Sequence, residues 1–257
     1  MEKVKFTRSH DDTIAHIVLD DGQGNVLDNI MMLEILECLQ AIGQDPKIKL
    51  ITFQGAGAHF SFGASVEEHT KEFAEAMLRT FHKIFMDLLQ LRIPTLAMVS
   101  GQCLGGGMEL ALICSVILAD RSARFGQPEI RLGVFPPPAS ILLPERIGLA
   151  RAEELLLTGR SVDADEAQRI GLVHAVYDDK DKLEAAAEDW ILKHVVPKSA
   201  SSLRFASHAA RIKLNHLMNN FLPQLERLYV TQLMETRDAN EGITAFLEKR
   251  KPQWANA

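Results

Sequence analysis

The central stretch of the chain reads Gly101-Gln102-Cys103-Leu104-Gly105-Gly106-Gly107-Met108-Glu109, and it lies between two apolar runs, residues 94–99 and 110–113. This arrangement predicts a strand that leads into a glycine turn, followed by the start of a helix. Consecutive glycines add nothing to a core, but they let a ligand approach the backbone closely. Free N–H groups at a helix start favour negative charge, and Glu109 falls within the first predicted turn. The stretch is therefore the first candidate for a functional site.

The composition is typical of a globular protein, with 257 residues of which 47% are hydrophobic and 24% are charged. A formal net charge of −6 argues against nucleic acid or an anionic membrane as the main partner. No window reaches the ~18 apolar residues of a membrane helix, and the N-terminus has no apolar signal core. The three cysteines include no CxxC pair, which predicts buried reduced thiols. We therefore expect a cytoplasmic protein.

Short apolar runs alternate with helical patterns through the first part of the chain, which predicts a parallel α/β sheet. Residues 126–140 contain four prolines and are expected to form a loop. From residue 149 onward the pattern is almost wholly helical apart from a strand near 172–176. We predict a core over 1–199 and a separate helical region over 200–257. The expected strands are 3–8, 13–19, 48–53, 96–99, 116–119 and 123–125; the expected helices include one after Asp28, then 72–91, 199–217 and 220–237.

Several familiar catalytic signatures are absent from the sequence. There is no GxxxxGK[ST] phosphate loop, no GxSxG nucleophile turn and no HExxH metal motif. The nine histidines are scattered without the spacing of metal ligands. We therefore expect no metal site.

A second glycine-rich turn, residues 55–67, follows an earlier predicted strand, and Ser65 within it is expected to cap a helix. Taken alone, such a turn is ordinary. In a parallel sheet, however, the carboxyl ends of the strands lie on one side, where ligands bind. The turns at 55–67 and 101–107 could each offer a backbone N–H to one oxygen atom. This pairing predicts an oxyanion hole.

A second carboxylate candidate is Glu129, in the segment Phe125-Gly126-Gln127-Pro128-Glu129. By itself, a glutamate in a loop is usually solvated. If it faces Glu109, two carboxylates around one water can divide acid and base work. The sequence does not show that the two meet.

Together these segments resemble the crotonase (enoyl-CoA hydratase/isomerase) superfamily, and the resemblance covers roughly residues 5–254. It rests on the combination of several motifs rather than on any one of them. The matching pieces are Ala58-His59-Phe60-Ser61-Phe62-Gly63-Ala64, residues 101–110, residues 125–133, Arg146-Ile147-Gly148, Ala164-Asp165-Glu166-Ala167, Gly171-Leu172-Val173 and residues 241–252.

The resemblance implies a spiral of ββα units with a C-terminal helical trimerisation region, assembled as a trimer or a dimer of trimers. It implies an acyl-CoA thioester substrate and no cofactor, since coenzyme A is part of the substrate. The implied oxyanion-hole donors are the backbone N–H groups of Ala64 and Gly106, and the implied catalytic pair is Glu109 and Glu129. Implied substrate contacts are Phe62, Gly63, Ser65, Val66, Gly105 and, near the phosphates, Lys249 or Lys251, although a solvated basic helix end explains these lysines equally well.

The segment Phe135-Pro136-Pro137-Pro138-Ala139-Ser140-Ile141 departs from the Pro-Gly-x-Gly-Gly-Thr run of ordinary hydratases. Rigid prolines replace glycines, so we expect Phe135, Pro136, Pro137 and Ala139 to line a reshaped acyl pocket. Together with residues 63–69, this segment resembles the cyclic dienoyl-CoA hydratases of anaerobic benzoyl-CoA degradation. The implied reaction converts cyclohexa-1,5-diene-1-carbonyl-CoA to 6-hydroxycyclohex-1-ene-1-carbonyl-CoA.

Two other interpretations remain open at this point. One is a general short-chain 2-enoyl-CoA hydratase or an enoyl-CoA isomerase. The other, from a different class, is an RNA-binding crotonase homologue with vestigial activity, or a non-catalytic partner in a trimer. The acidic net charge and the two retained glutamates argue against this second class.

Overall fold

The computed structural model describes all 257 residues and contains two β-sheets. The larger sheet has six strands in the order β1-β2-β3-β4-β6-β9, and all its pairs are parallel except β1 with β2. The smaller sheet has three strands in the order β5-β7-β8. The strands are β1 (Val4–Ser9), β2 (Ile14–Leu19), β3 (Leu50–Gly55), β4 (Thr95–Val99), β5 (Gln102–Leu104), β6 (Val116–Asp120), β7 (Arg124–Gly126), β8 (Ser161–Asp163) and β9 (Ala175–Tyr177).

Ten α-helices complete the fold, and three short 3₁₀ turns accompany them. The 3₁₀ turns span Val66–His69, Pro128–Leu132 and Leu233–Glu235. The α-helices are α1 (Asn29–Gly43), α2 (Ala74–Leu91), α3 (Gly106–Ile113), α4 (Pro137–Ile147), α5 (Leu149–Thr158), α6 (Ala164–Arg169), α7 (Lys180–His194), α8 (Ala200–Ala210), α9 (Ile212–Thr231) and α10 (Arg237–Leu247).

The chain forms the units of a spiral. Strand β4 joins the large sheet, β5 joins the small sheet, and α3 follows; β6, β7 and α4 repeat this order. Ser61, which follows β3, pairs with Cys103 of β5 and so extends the small sheet before α2 begins. The predicted ββα spiral with a helical C-terminal part is confirmed.

Burial of apolar residues explains the inner layers. Every residue of β4 is buried, as expected for a central parallel strand covered on both faces. Helix α2 buries one apolar stripe, which includes Met77 and Phe81, two residues spaced one turn apart. The side chain of Asp28 accepts from the Met31 N–H at 3.0 Å, so the predicted cap of α1 is confirmed. All three cysteines are buried and free.

The expectation of a loop over residues 126–140 is wrong, because α4 begins within it. Pro137 and Pro138 occupy the first positions of this helix. A helix start tolerates proline because the first N–H groups have no partner inside the helix. A run of prolines is compatible with a loop, but here it begins a helix.

The predicted boundaries in the C-terminal region are also partly wrong. The helix break lies at Arg211 rather than near residue 218, and α9 continues through Pro223. The guanidinium of Arg211 donates to the carbonyl oxygen of Ile113 at 2.6 Å, which anchors the break to α3. Ser65 makes no capping hydrogen bond, and the helix expected after it is the short turn Val66–His69. No helix has the length and apolar character needed to cross a membrane.

A hydrogen-bond network centred on Asn25 fixes the loop that leads to the site. Asn25 has a φ of 54°, a left-handed conformation that asparagine tolerates. Its amide donates to the carbonyl oxygens of His59 and Phe60 at 2.8 and 3.3 Å. The Ser61 hydroxyl donates to the Asn25 carbonyl oxygen at 2.7 Å and accepts from the Gly63 N–H at 3.0 Å. The backbone approaching Ala64 is therefore held before any ligand binds.

Candidate active site

The two glycine turns predicted from the sequence pack directly against each other. The Leu104 N–H donates to the Ser61 carbonyl oxygen at 3.0 Å. A methyl group at Gly107 would lie only 2.5 Å from the Ser61 Cβ, so the loops approach too closely for a side chain there. Gly63 and Gly105 have φ values of 103° and 49°, in the left-handed region that favours glycine. Close packing and backbone conformation together account for the glycines.

The contact between these loops leaves two backbone donors free. Neither the Ala64 N–H nor the Gly106 N–H donates to an acceptor in the protein. A Cβ atom on Gly106 would lie 3.1 Å from the Ala64 nitrogen, so the two residues are in contact. Gly106 is also the first residue of α3, where the helix dipole favours a negative charge. This geometry can receive an oxygen atom that gains negative charge.

Glu109 lies in the first turn of α3, buried, with its Oε1 accepting from the Ala139 N–H at 2.8 Å. The proline run explains why this donor is available. Pro137 and Pro138 have no N–H, and the Ser140 N–H already donates to the Pro136 carbonyl oxygen at 3.0 Å. Ala139 thus supplies the single unpaired N–H of the α4 start, and Glu109 accepts it. The prolines leave no other donor to be buried unsatisfied.

Glu129 lies in the 3₁₀ turn Pro128–Leu132 and faces Gly105. A Cβ on Gly105 would lie 2.6 Å from the Glu129 Oε1, so this glycine also makes room for the carboxylate. With its amide nitrogen turned towards the carboxylate, Gln127 donates to both oxygens of Glu129 at 3.0 and 3.1 Å. Amide orientation follows from the available partners, and here the carboxylate is the better acceptor.

Both glutamates line one cavity, and both have a raised pKa. Burial raises the pKa of Glu109 well above its ordinary value, and the charge of Glu129 raises it further, although the Ala139 N–H acts in the opposite direction. Burial likewise raises the pKa of Glu129. Two neighbouring carboxylates in a dry site do not both ionise readily, so the pair favours one proton shared between one acid and one base.

We expect a bell-shaped dependence of kcat/KM on pH. The base loses activity when it is protonated as pH falls, and the acid loses activity when it ionises as pH rises. Because both pKa values are raised, the acidic limb should lie above about 4.3, the ordinary value of glutamate, and the two limbs belong to the pair. Initial rates across pH 4 to 10 measure this. An acidic limb at the ordinary value would contradict the shared-proton pair.

The cavity walls include most of the predicted substrate contacts. Phe62, Gly63 and Val66 line it from one glycine loop, and Gly105 lines it from the other. The segment 135–141, which departs from the run of ordinary hydratases, also reaches this cavity. That segment contributes Phe135, Pro136 and Pro137 to the cavity, whereas Ala139 acts through its amide on Glu109.

Other residues of the cavity were not predicted. Phe81 comes from α2, His69 from the turn before it, and Tyr229 from α9. The His69 Nδ1 lies 2.6 Å from the Ser65 carbonyl oxygen, and burial lowers the pKa of His69, which favours the neutral ring. The helical spacing of the stripe on α2 was visible in the sequence. Which part of it meets the cavity was not, because that depends on contacts between distant elements.

An outer groove continues from the cavity, and Phe62, Ala64 and Val66 line both. Ser65 lies in this groove rather than in the inner cavity. The cationic side chains that line the groove are those of Arg131 and Arg250. Lys249, the predicted phosphate contact, is exposed and does not line the groove.

The fold brings two free backbone N–H groups and two carboxylates to one cavity, an arrangement that can stabilise a developing negative charge on oxygen and exchange protons. A sequence profile of the enoyl-CoA hydratase/isomerase family matches residues 9–257. The chain belongs to this family, the crotonase superfamily, and it is an acyl-CoA hydratase, a hydro-lyase.

Individual relatives agree with this assignment. The chain is 42% identical to a cyclohexa-1,5-dienecarbonyl-CoA hydratase from Thauera aromatica, over 98% of this chain and 97% of that protein. It is 38% identical to a probable enoyl-CoA hydratase from Mycobacterium bovis, over 96% of each. The structure is similar to a crystal structure of an enoyl-CoA hydratase from Mycobacterium avium subsp. paratuberculosis, with a TM-score of 0.86, 26% identity and 98% of each chain covered.

Proposed function

We propose that this hydratase adds water to a conjugated cyclic dienoyl-CoA, converting cyclohexa-1,5-diene-1-carbonyl-CoA to 6-hydroxycyclohex-1-ene-1-carbonyl-CoA. The observation that carries the proposal is the meeting of two free backbone N–H groups, the buried Glu109 and the half-buried Glu129 in one cavity walled by prolines. The reaction is of the kind used in benzoyl-CoA degradation. It needs no cofactor, because coenzyme A is part of the substrate.

In the proposed mechanism, the thioester carbonyl oxygen accepts from the N–H groups of Ala64 and Gly106. Attack of water on the ring pushes electrons onto this oxygen, and its negative charge grows. Fixed donors in a dry site stabilise that charge more than they stabilise the neutral carbonyl, and one such donor contributes about 3–4 kcal/mol to lowering the barrier. The loops are held together by their own hydrogen bonds, so little reorganisation accompanies the reaction.

Glu109 and Glu129 then divide the proton transfers. The ionised member of the pair takes a proton from water as the water oxygen bonds to the β-carbon. The C1–C2 double-bond electrons move into the dienolate, and the protonated member gives its proton to the far end of the second double bond. The remaining double bond shifts between them, so one water is added across four carbons. The pair ends with its single proton exchanged from one carboxyl to the other.

A planar ring suits the walls of this cavity. Pro136 and Pro137 are buried and stiff, and the Phe135 ring lies beside them. Phe81 adds an aromatic surface from α2. Rigid walls would reduce the freedom lost when a ring binds, and they would fix its distal carbon relative to a glutamate. The similarity to the cyclohexa-1,5-dienecarbonyl-CoA hydratase from Thauera aromatica supports the same acyl group in the proposed substrate.

A second candidate is a general short-chain 2-enoyl-CoA hydratase. The similarity to the probable enoyl-CoA hydratase from Mycobacterium bovis favours it. The same oxyanion hole and glutamate pair would serve this chemistry. In that case the proton would go to the α-carbon, next to the carbon that receives the hydroxyl.

The test is a paired assay of the purified protein on cyclohexa-1,5-diene-1-carbonyl-CoA and crotonyl-CoA. We expect a higher kcat/KM on the cyclic diene by at least about 10-fold, a difference of ~1.4 kcal/mol in barrier. Running the reaction in D₂O and locating the deuterium by NMR separates the two modes of addition. Deuterium on the ring carbon para (1,4) to the carbon that bears the hydroxyl supports the diene mechanism. Faster hydration of crotonyl-CoA would overturn it in favour of the second candidate.

The coenzyme A part of the substrate is proposed to lie in the outer groove. Backbone groups of residues 62–66 would contact its pantetheine arm, and Arg131 or Arg250 would approach its phosphates. Arg250 also pairs with Glu241 and Glu248, which holds its guanidinium in place. The role first assigned to Lys249 passes to these arginines in the proposal.

We also propose that residues 200–257 mediate self-association as a trimer or a dimer of trimers, with residues 1–199 as the core. The support is the exposure of large apolar side chains on α8 and α9, among them Phe205 at 71% and Ile212 at 66%. Such side chains are costly to leave in water and are typical of a buried contact. Light scattering coupled to size-exclusion chromatography measures the mass of the assembly, which should be three or six times that of one chain.

A further inference from the structure

The hydroxyl of Tyr229 is a buried polar group without a partner. Tyr229 lies on α9, lines the inner cavity and is only 1% exposed. Its oxygen atom makes no hydrogen bond in the protein. Nearly all buried polar groups are paired, and an unpaired one destabilises the folded state. The unpaired hydroxyl would be satisfied by a hydrogen-bond partner that enters the cavity with the substrate.

The surroundings of the ring keep this hydroxyl in the cavity. The rings of Phe135 and Tyr229 meet edge to face with their centroids 5.5 Å apart. Leu222, two turns earlier on α9, is also buried, so this face of the helix is packed inwards. Burial raises the pKa of Tyr229, and the charges of Glu129 and Glu109 raise it further. The hydroxyl therefore stays protonated and can donate a hydrogen bond, although it bonds neither glutamate.

We infer that Tyr229 is a further catalytic residue, whose hydroxyl donates a hydrogen bond to the oxygen atom that is added to the substrate. That oxygen enters as water and leaves as the hydroxyl of the product, and no covalent bond to Tyr229 forms or breaks. The inference rests on the proposed hydration but not on the identity of the ring. A third contact would orient the water while one glutamate removes its proton.

The first test is Tyr229→Phe, which removes only the oxygen atom. We expect kcat for hydration to fall about 10-fold, with little change in KM, because the unsaturated substrate has no hydroxyl to contact. The melting temperature should stay the same or rise, because an unpaired polar group has been removed. Tyr177→Phe is the matched control, since Tyr177 ends β9 outside the cavity and should leave kcat unchanged.

The second test measures binding without turnover. In a Glu109→Gln background, 3-hydroxybutyryl-CoA and butyryl-CoA differ only by a hydroxyl on the β-carbon. We expect calorimetry to show tighter binding of the hydroxylated ester, and Tyr229→Phe to reduce this preference about 10-fold. Because neither ligand contains a ring, the test stays valid if the cyclic substrate is wrong.

Three outcomes would overturn the inference. Normal kcat together with an unchanged preference would show that the hydroxyl is a bystander. A fall in kcat with the preference intact would show that Tyr229 does not touch the added oxygen. A lowered melting temperature or a changed assembly mass, with normal kcat, would place the partner of the hydroxyl at a contact between subunits.

Discussion

Replacing Glu109 by Gln is expected to lower kcat by at least about 10²-fold while acyl-CoA binding survives. Glutamine has nearly the same shape, and its amide oxygen can still accept from the Ala139 N–H that now bonds the Glu109 Oε1 at 2.8 Å. It can neither take a proton from water nor give one to carbon. The local packing therefore remains while the proton transfer is lost.

Glu129→Gln should cause a loss of similar size, because the reaction needs one acid and one base. It should also lower the pKa of Glu109, since the charge of Glu129 is one cause of its elevation. The measurements are steady-state kinetics, a pH profile of the residual rate and calorimetry with a saturated acyl-CoA. Glu153→Gln, on the exposed surface of α5, is the matched control. Near-normal turnover in either cavity variant would show that its glutamate is misassigned.

Replacing Gly106 by Ala is expected to lower kcat by about 10² to 10³-fold, the effect typical of a lost oxyanion-hole donor. The added methyl group would lie 3.1 Å from both the Ala64 nitrogen and the Phe81 Cζ. It would therefore crowd the space where the thioester oxygen has to approach. The φ angle of Gly106 is not left-handed, so alanine suits the helix start and backbone strain is not the cause.

The matched control for this variant is Gly43→Ala at the end of α1. There, a methyl group would meet only the flexible Leu91 side chain, far from the cavity. Circular dichroism and melting temperature check that both variants fold, and steady-state rates compare their activity. If Gly106→Ala keeps most of its turnover, the developing negative charge is stabilised elsewhere. A loss confined to KM would indicate a blocked pocket rather than a lost donor.

Much of the fold could be predicted from local pattern. Buried strands such as β4 and the stripe on α2 carry their periodicity in adjacent residues, and the cap at Asp28 is a local hydrogen bond. The spiral repeat was less visible, because its units share an order of elements and no repeated sequence. The start of α4 was missed because a proline run is compatible with a loop and with a helix start alike. In the structure Pro137 and Pro138 take the first positions of α4, where a missing N–H costs nothing.

For the site, too, some features follow from local sequence and others depend on contacts between residues far apart in the chain. The glycine turns were evident in the sequence, because turn chemistry is a local property, whereas the pairing of Glu109 with Glu129 was implied only by the family resemblance. The raised pKa of each glutamate was not, because it depends on burial and on a neighbour 20 residues away in the chain. Nor was the presence of Tyr229, 120 residues after Glu109 and brought beside it by the packing of α9. The sequence by itself thus determined the glycine turns and the residue types of the site. Only the tertiary structure decided the pKa values of the glutamates and placed Tyr229 beside them, because desolvation and long-range contacts are properties of the folded chain.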